Sequence, residues 1–143
     1  VHVDGSKASI ATGISNAKLS GLEEAPIRWI LDDAFAFVKR ELRRGNQYDG
    51  IVMDPPSFGR GAKGEIWKLE ESFVAFVAEC AKLLKPDALF FIVNGYAAGY
   101  SHVAYKQNLD MLLDTKGTES GELLIEDAQG RFLPSGIVAR WGN

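Results

Sequence analysis

The chain has 143 residues, 46% of them apolar, enough to enclose one core, and a formal net charge of −3. That charge excludes a global basic field for gripping nucleic acid, so any polyanion must meet a local patch or another part of the protein. One cysteine excludes an internal disulfide framework, and two histidines beside it argue against a metal site; no run of about 18 apolar residues marks a membrane span.

Val1-His2-Val3-Asp4 reads as the end of a buried strand, with His2 inside it. It is neither an initiator methionine nor a signal peptide, so the natural protein is expected to continue upstream, with a cytoplasmic location. Ser6 is a candidate N-cap for a helix carrying Ile10, Ile14 and Ala17, which Gly21 ends. Ile27 to Leu31 reads as a strand stopped at Asp32-Asp33. The next helix runs through Phe35, Val38 and Leu42, with Lys39, Arg40, Arg43 and Arg44 at the negative end of its dipole before Gly45.

Tyr48 to Asp54 forms the next predicted strand, ended by Pro55-Pro56. A glycine-rich loop, Gly59 to Gly64, leads to a helix with the apolar stripe Leu69, Phe73, Phe76, Val77, Cys80 and Leu84. Ala88 to Val93 is an apolar strand bounded by Asn94-Gly95. Ser101 caps a helix whose buried side is predicted as Val103, Leu109, Leu112 and Leu113. Glu122 to Glu126 and Ile137 to Trp141 flank a turn at Asp127 to Gly130 and read as an antiparallel pair.

Strands alternating with helices predict an α/β fold: a doubly wound, Rossmann-like, mostly parallel sheet with an antiparallel C-terminal strand pair. Ligands of such sheets sit beyond the carboxyl ends of the strands. Four successive strands end there in Asp4, Asp32-Asp33, Asp54-Pro55-Pro56 and Asn94. Asp4 is placed to accept hydrogen bonds from ribose hydroxyls, and Asp33-Ala34 to read an adenine edge through a carboxylate and a backbone N–H. One of Asp32 and Asp33 is also expected to cap the following helix.

Asp54-Pro55-Pro56-Ser57 carries the most information. Neither proline offers an N–H and both have fixed φ, so they make a rigid turn that sets the Pro55 carbonyl beside the Asp54 carboxylate. Two adjacent acceptors suit a planar amine. They aim its lone pair at an electrophilic methyl and stabilise charge growing on nitrogen.

With these residues in hand, the chain resembles the class I S-adenosylmethionine-dependent methyltransferases of the bacterial ribosomal-RNA group, relatives of the large-subunit rRNA cytosine-C5 and guanine-N2 enzymes. The resemblance rests on Arg28 to Phe35, Asp54-Pro55-Pro56-Ser57-Phe58-Gly59-Arg60-Gly61, Gly64-Glu65-Ile66-Trp67, Gly121-Glu122-Leu123 and Ala139-Arg140-Trp141, and runs over nearly the whole chain. It implies S-adenosylmethionine as cofactor and RNA, in particular rRNA, as substrate. Residues 1–143 would be one catalytic domain lacking its first strand and the glycine loop that contacts the methionine moiety. Asp4, Asp32, Asp33, Ala34 and Asp54 would hold the cofactor, and Asp54, Pro55 and Pro56 would face the reacting groups. Ser57, Phe58, Arg60, Lys63 and Trp67 are the candidate substrate contacts.

Cytosine-C5 methylation needs a cysteine nucleophile. In such relatives the thiol lies near the strand ends that here read Asp-Pro-Pro-Ser and Asn-Gly-Tyr. Cys80 sits on an apolar helical stripe and reads as packing. Transfer to nitrogen, or to oxygen, is therefore the better expectation.

Gly59-x-Gly61-x-x-Gly64 formally matches a dinucleotide fingerprint, but Asp-Pro-Pro intervenes after the strand, and Glu79, at the spacing of the required acid, falls inside a helix. Trp29 and Trp141 read as core, and His102 as a first-turn helix residue. The rival readings are an inactive nucleotide- or RNA-binding module with the same fold and, third, a nicotinamide-dependent reductase.

Overall fold

A computed structural model of the chain describes residues 1–60, 66–96, 99–113 and 117–142. In chain order the elements are β1 (His2–Asp4), α1 (Lys7–Leu19), β2 (Trp29–Leu31), α2 (Ala34–Arg44), β3 (Gly50–Met53), β4 (Phe58–Arg60), β5 (Ile66–Lys68), α3 (Leu69–Ala81), β6 (Phe90–Gly95), α4 (His102–Leu112), β7 (Glu119–Glu126) and β8 (Phe132–Gly142). The class is the α/β one predicted, with parallel pairs β1–β2 and β3–β6 and antiparallel pairs β6–β8 and β7–β8.

Local chemistry sets the helix limits. The Ser6 hydroxyl accepts from the Ser9 N–H, and Asp33 Oδ1 accepts from the Ala36 N–H at 2.7 Å, each satisfying a first-turn donor with no intrahelical partner. Gly45 ends α2 in the left-handed region at φ 70°, where a side chain would be strained, and returns N–H bonds to Glu41 and Leu42.

The core lies on one face of the larger sheet, ordered β3-β6-β8-β7. Alternation along the strands sends Met53, Phe91, Val93 and Ala139 to that face, where they pack with Leu69, Phe73, Phe76, Val77 and Cys80 of α3 and Tyr105 and Leu109 of α4. Phe37 and Val38 of α2 complete the cluster. On the opposite face Val52 is 65% exposed. Helix α1 lies against β1 and β2 and buries none of its own residues.

Several expectations change. Phe58–Arg60 and Ile66–Lys68 pair as an antiparallel ribbon, so Gly59 and Arg60, expected in a loop, stand on a strand; Phe58, Ile66 and Trp67 suit a pleated surface. Gly61, Lys63 and Gly64 lie outside the described residues. The β1–β2 pair is not hydrogen-bonded to the four-stranded sheet among the described residues. His2 is exposed rather than buried, its ring tilted 5.0 Å from that of Trp29. Val103 is exposed too: it lies about 200° around the helix from buried Tyr105, off the stripe that Tyr105 shares with Leu109.

Candidate cofactor and substrate crevice

The strand pairings place the predicted strand-end residues in two groups. In β1–β2, Asp4 is the partner of Leu31, and the Asp32 N–H donates to the Asp4 carbonyl at 3.1 Å. In β3–β6, Met53 is the partner of Val93, which sets Asp54 beside Asn94. An aromatic chain links the two ends. Phe35, in the first turn of α2, meets Phe76 edge-on at 5.4 Å, and Phe76 meets Trp67 at 5.5 Å. Trp67 Nε1 then donates to the Pro56 carbonyl at 2.6 Å. The turn holding Asp33 and Ala34 therefore shares an end of the molecule with the Asp54-Pro55-Pro56 turn.

The acids are not equally free. Asp32 is occupied by structure: Oδ1 accepts from the Asp33 N–H at 2.9 Å, and Oδ2 pairs with Arg40 at 2.7 Å. Asp33 is the helix cap through Oδ1, and its Oδ2 accepts no hydrogen bond from a described residue. Asp4 Oδ1 accepts from the Ser6 N–H at 2.6 Å, and its Oδ2 has no hydrogen bond among the described residues. Ala34 is the first residue of α2, where an N–H has no intrahelical acceptor. Free acceptors at Asp4 and Asp33 with a free donor at Ala34 match the needs of a ribose diol and an adenine edge.

Asp54 is exposed and accepts no hydrogen bond from a described residue, while Pro55 behind it is buried. Both prolines are trans. Ser57 is exposed and its carbonyl accepts from the Leu69 N–H at 3.0 Å, tying the turn to α3. Phe58 and Arg60 stand on β4, both exposed. Trp67 is half-buried with its N–H engaged, so the structure gives it a clamping role on the Asp-Pro-Pro turn.

Cys80 is 3% exposed in the core, and burial, with the Glu79 charge adding to it, pushes its thiol up to about 12. Among the described residues no group of three or more His, Cys, Asp or Glu side chains is arranged to hold a metal ion. No helix among them is long and apolar enough to cross a membrane.

Two further residues at this end escaped the sequence reading. Tyr105 is fully buried, and its hydroxyl lies against Gly95 with no hydrogen-bond partner among the described residues. Burial raises its phenol above the ordinary range, with the Tyr100 and Asp54 charges adding to it. Tyr96, one residue beyond β6, is 82% exposed. The Asn94-Gly95-Tyr96 tripeptide beside Asp54 was the available signal for it.

The fold is that of solved S-adenosylmethionine-dependent methyltransferases. The crystal structure of the SAM-dependent methyltransferase from Agrobacterium tumefaciens superposes with a TM-score of 0.89 at 38% identity, covering 99% of this chain and 48% of that one. A second structure, crystallised in complex with SAH, superposes at 0.70 with 20% identity over 96% of this chain and 37% of its own, a likeness of fold.

By sequence the chain is similar to bacterial large-subunit rRNA methyltransferases. It is 34% identical over 58 residues to ribosomal RNA large subunit methyltransferase I of Erwinia tasmaniensis, covering 41% of this chain and 15% of the relative. It is 27% identical over 135 residues to the K/L enzyme of Pseudoalteromonas atlantica, covering 93% of this chain and 16% of the relative. The chain thus spans a small part of the curated relatives it matches. No family model matches it.

Proposed function

We propose that this chain is the catalytic part of an S-adenosylmethionine-dependent methyltransferase acting on an RNA base, an rRNA base in particular, and at nitrogen rather than through a cysteine adduct. The observation that carries the reading is the pairing of Met53 with Val93, which leaves an exposed Asp54 carboxylate and a rigid Pro55-Pro56 turn at the carboxyl end of a parallel strand pair. Asp4 Oδ2 accepts from the ribose, and Asp33 Oδ2 and the Ala34 N–H read the adenine. When bound, the cofactor supplies a methyl group on a positively charged sulfur.

Asp54 and the Pro55 carbonyl each accept one N–H of the target amine. They orient its lone pair toward the methyl group, and the carboxylate stabilises the positive charge on nitrogen and takes up its proton. Ser57, Phe58 and Arg60 line the approach, with Lys63 on the same segment in sequence, and the two cations meet RNA phosphates. The nitrogen assignment is supported by the buried, proton-holding Cys80 and by the lack of any thiol in Asp54-Pro55-Pro56-Ser57 or Asn94-Gly95-Tyr96.

Calorimetry on the full natural protein tests the cofactor: adenosylmethionine and adenosylhomocysteine bind and NAD does not. Methyl transfer to unmodified rRNA tests the activity. Asp54→Ala abolishes transfer and leaves cofactor affinity nearly unchanged; an unaltered rate removes Asp54 from the mechanism.

A further inference from the structure

We propose that Tyr96 is the stacking platform for the target base, so that the substrate is an unpaired nucleobase in single-stranded or looped RNA, laid against the Tyr96 ring while Asp54 holds its amine. The inference rests on the methyl-transfer reading above and extends it to how the base is presented.

A single exposed aromatic is ordinary on a protein surface. Tyr96 differs in where it stands and how it is held. The Met53–Val93 pairing sets Asn94 beside Asp54, and Tyr96 follows two residues later, just past the carboxyl end of β6. At a strand rise of about 3.3 Å per residue, its Cα lies within about 7 Å of that of Asn94 along the chain. Asn94 neighbours Asp54 across the β3–β6 pair, so Tyr96 stands one strand over from the Asp-Pro-Pro turn at the same carboxyl end.

The backbone carrying the ring is confined on both sides. A Cβ on Gly95 would come within 2.6 Å of the Tyr105 hydroxyl, and one on Gly136 within 2.9 Å of the Gly95 carbonyl oxygen and 3.8 Å of Tyr96 Cδ2. Tyr105 is itself fixed in the core by stacking on Phe73 at 4.8 Å. A core aromatic below and strand β8 beside it thus hold a solvent-facing ring at the crevice mouth. An aromatic with only two side-chain torsions, mounted on such a backbone, loses little freedom on binding.

Charge points the same way. With a net charge of −3, the chain offers little general attraction for phosphates, so contacts to the base must carry more of the recognition. Stacking suits that need, because every base has a π face, but it requires the base to be out of a duplex.

The experiment compares Tyr96→Leu, Tyr96→Phe and wild type in the full natural protein. Affinity for a single-stranded rRNA-derived oligonucleotide is read by fluorescence anisotropy with adenosylhomocysteine present, and methyl transfer is read on the same RNA. The expected result is a loss of roughly 5- to 150-fold in RNA affinity for Tyr96→Leu. Its KM for RNA rises in step, cofactor affinity is unchanged, and Tyr96→Phe stays near wild type. RNA affinity and KM of Tyr96→Leu equal to wild type overturn the proposal while leaving the methyltransferase reading intact. If wild type transfers no methyl group to any RNA, that reading falls, and the anisotropy comparison still decides whether Tyr96 stacks bases. A loss shared equally by Tyr96→Phe also overturns it, since the phenyl face is then not what binds.

Discussion

The Tyr48 hydroxyl donates a 2.6 Å hydrogen bond to Oε2 of Glu41, a buried carboxylate. Asn46 Nδ2 donates to the same oxygen at 2.7 Å, and Arg44 reaches Oε1 at 3.1 Å. Together they close the corner between α2 and β3, the strand that delivers Asp54. The Tyr48 bond is the main reason the Glu41 carboxyl is held below the usual carboxylate range. Burial first, and then the bond to Glu41, push the Tyr48 phenol up to about 12.

Tyr48→Phe removes the strongest of these donors from a buried charge, and should cost about 1.5–3 kcal/mol in urea denaturation at pH 7. The pH dependence follows from the two shifts. Glu41 titrates lower in the folded chain than in the unfolded one, so its contribution is present above the ordinary carboxylate value of 4.5 and fades as pH falls through the folded value. Tyr48 titrates higher, so its contribution is full below 10 and is lost as pH rises toward about 12. Unfolding midpoints measured from pH 3 to 11 should fall at both ends, and Tyr48→Phe should shallow the alkaline fall.

Trp67→Phe keeps a ring against Phe76 but deletes the 2.6 Å bond to the Pro56 carbonyl. Stability should drop by only about 1 kcal/mol. On the proposed reading methyl transfer should drop further, about tenfold, because the Asp-Pro-Pro turn loses its clamp and small misplacements of reacting groups are costly. Cofactor affinity should hold. Equal percentage losses of folded protein and of activity would reduce Trp67 to packing.

Gly95→Ala places a methyl group 2.6 Å from the Tyr105 hydroxyl and should destabilise by about 1–3 kcal/mol. Tyr105→Phe removes an oxygen that has no partner among the described residues, and should be nearly neutral alone. Combined, the two changes should recover much of the loss, a non-additivity of about 1 kcal/mol readable in a double-mutant cycle. Strict additivity would mean that the methyl group strains something other than this hydroxyl.

Cys80 should resist alkylation at pH 8 until the protein unfolds, since its thiol is buried and protonated there. Cys80→Ala should cost roughly 1 kcal/mol and leave methyl transfer within about twofold of wild type. Abolished transfer in a folded Cys80→Ala variant would restore a covalent mechanism.

The parts readable from the sequence were those set by neighbours along the chain. Ser6 capping α1, Gly45 closing α2, Cys80 on an apolar stripe and the Asp127 turn between β7 and β8 all follow from local spacing, and the structure has them. The Glu41 cluster did not announce itself, because its burial depends on Tyr48 folding back from the next strand. The β4–β5 ribbon was hidden because Gly59 and Arg60 interrupt any alternating pattern, and pairing with Ile66–Lys68 is what makes them a strand. At the crevice, the acidic strand ends were visible as residue types. Their division of labour was not: Asp32 and Asp33 look alike in sequence, and only the Arg40 pair and the Ala36 bond separate them.

The lopsided cover of the sheet has a dynamic consequence. Since α1 buries none of its residues and leans on two three-residue strands, little solvent-excluded surface resists its melting. In hydrogen–deuterium exchange its amides should swap far sooner than those of β6 and α3, which should persist until the whole molecule opens. The end of the molecule that carries Asp4 would then be the part that breathes, and on the proposed reading nucleoside binding would quiet it.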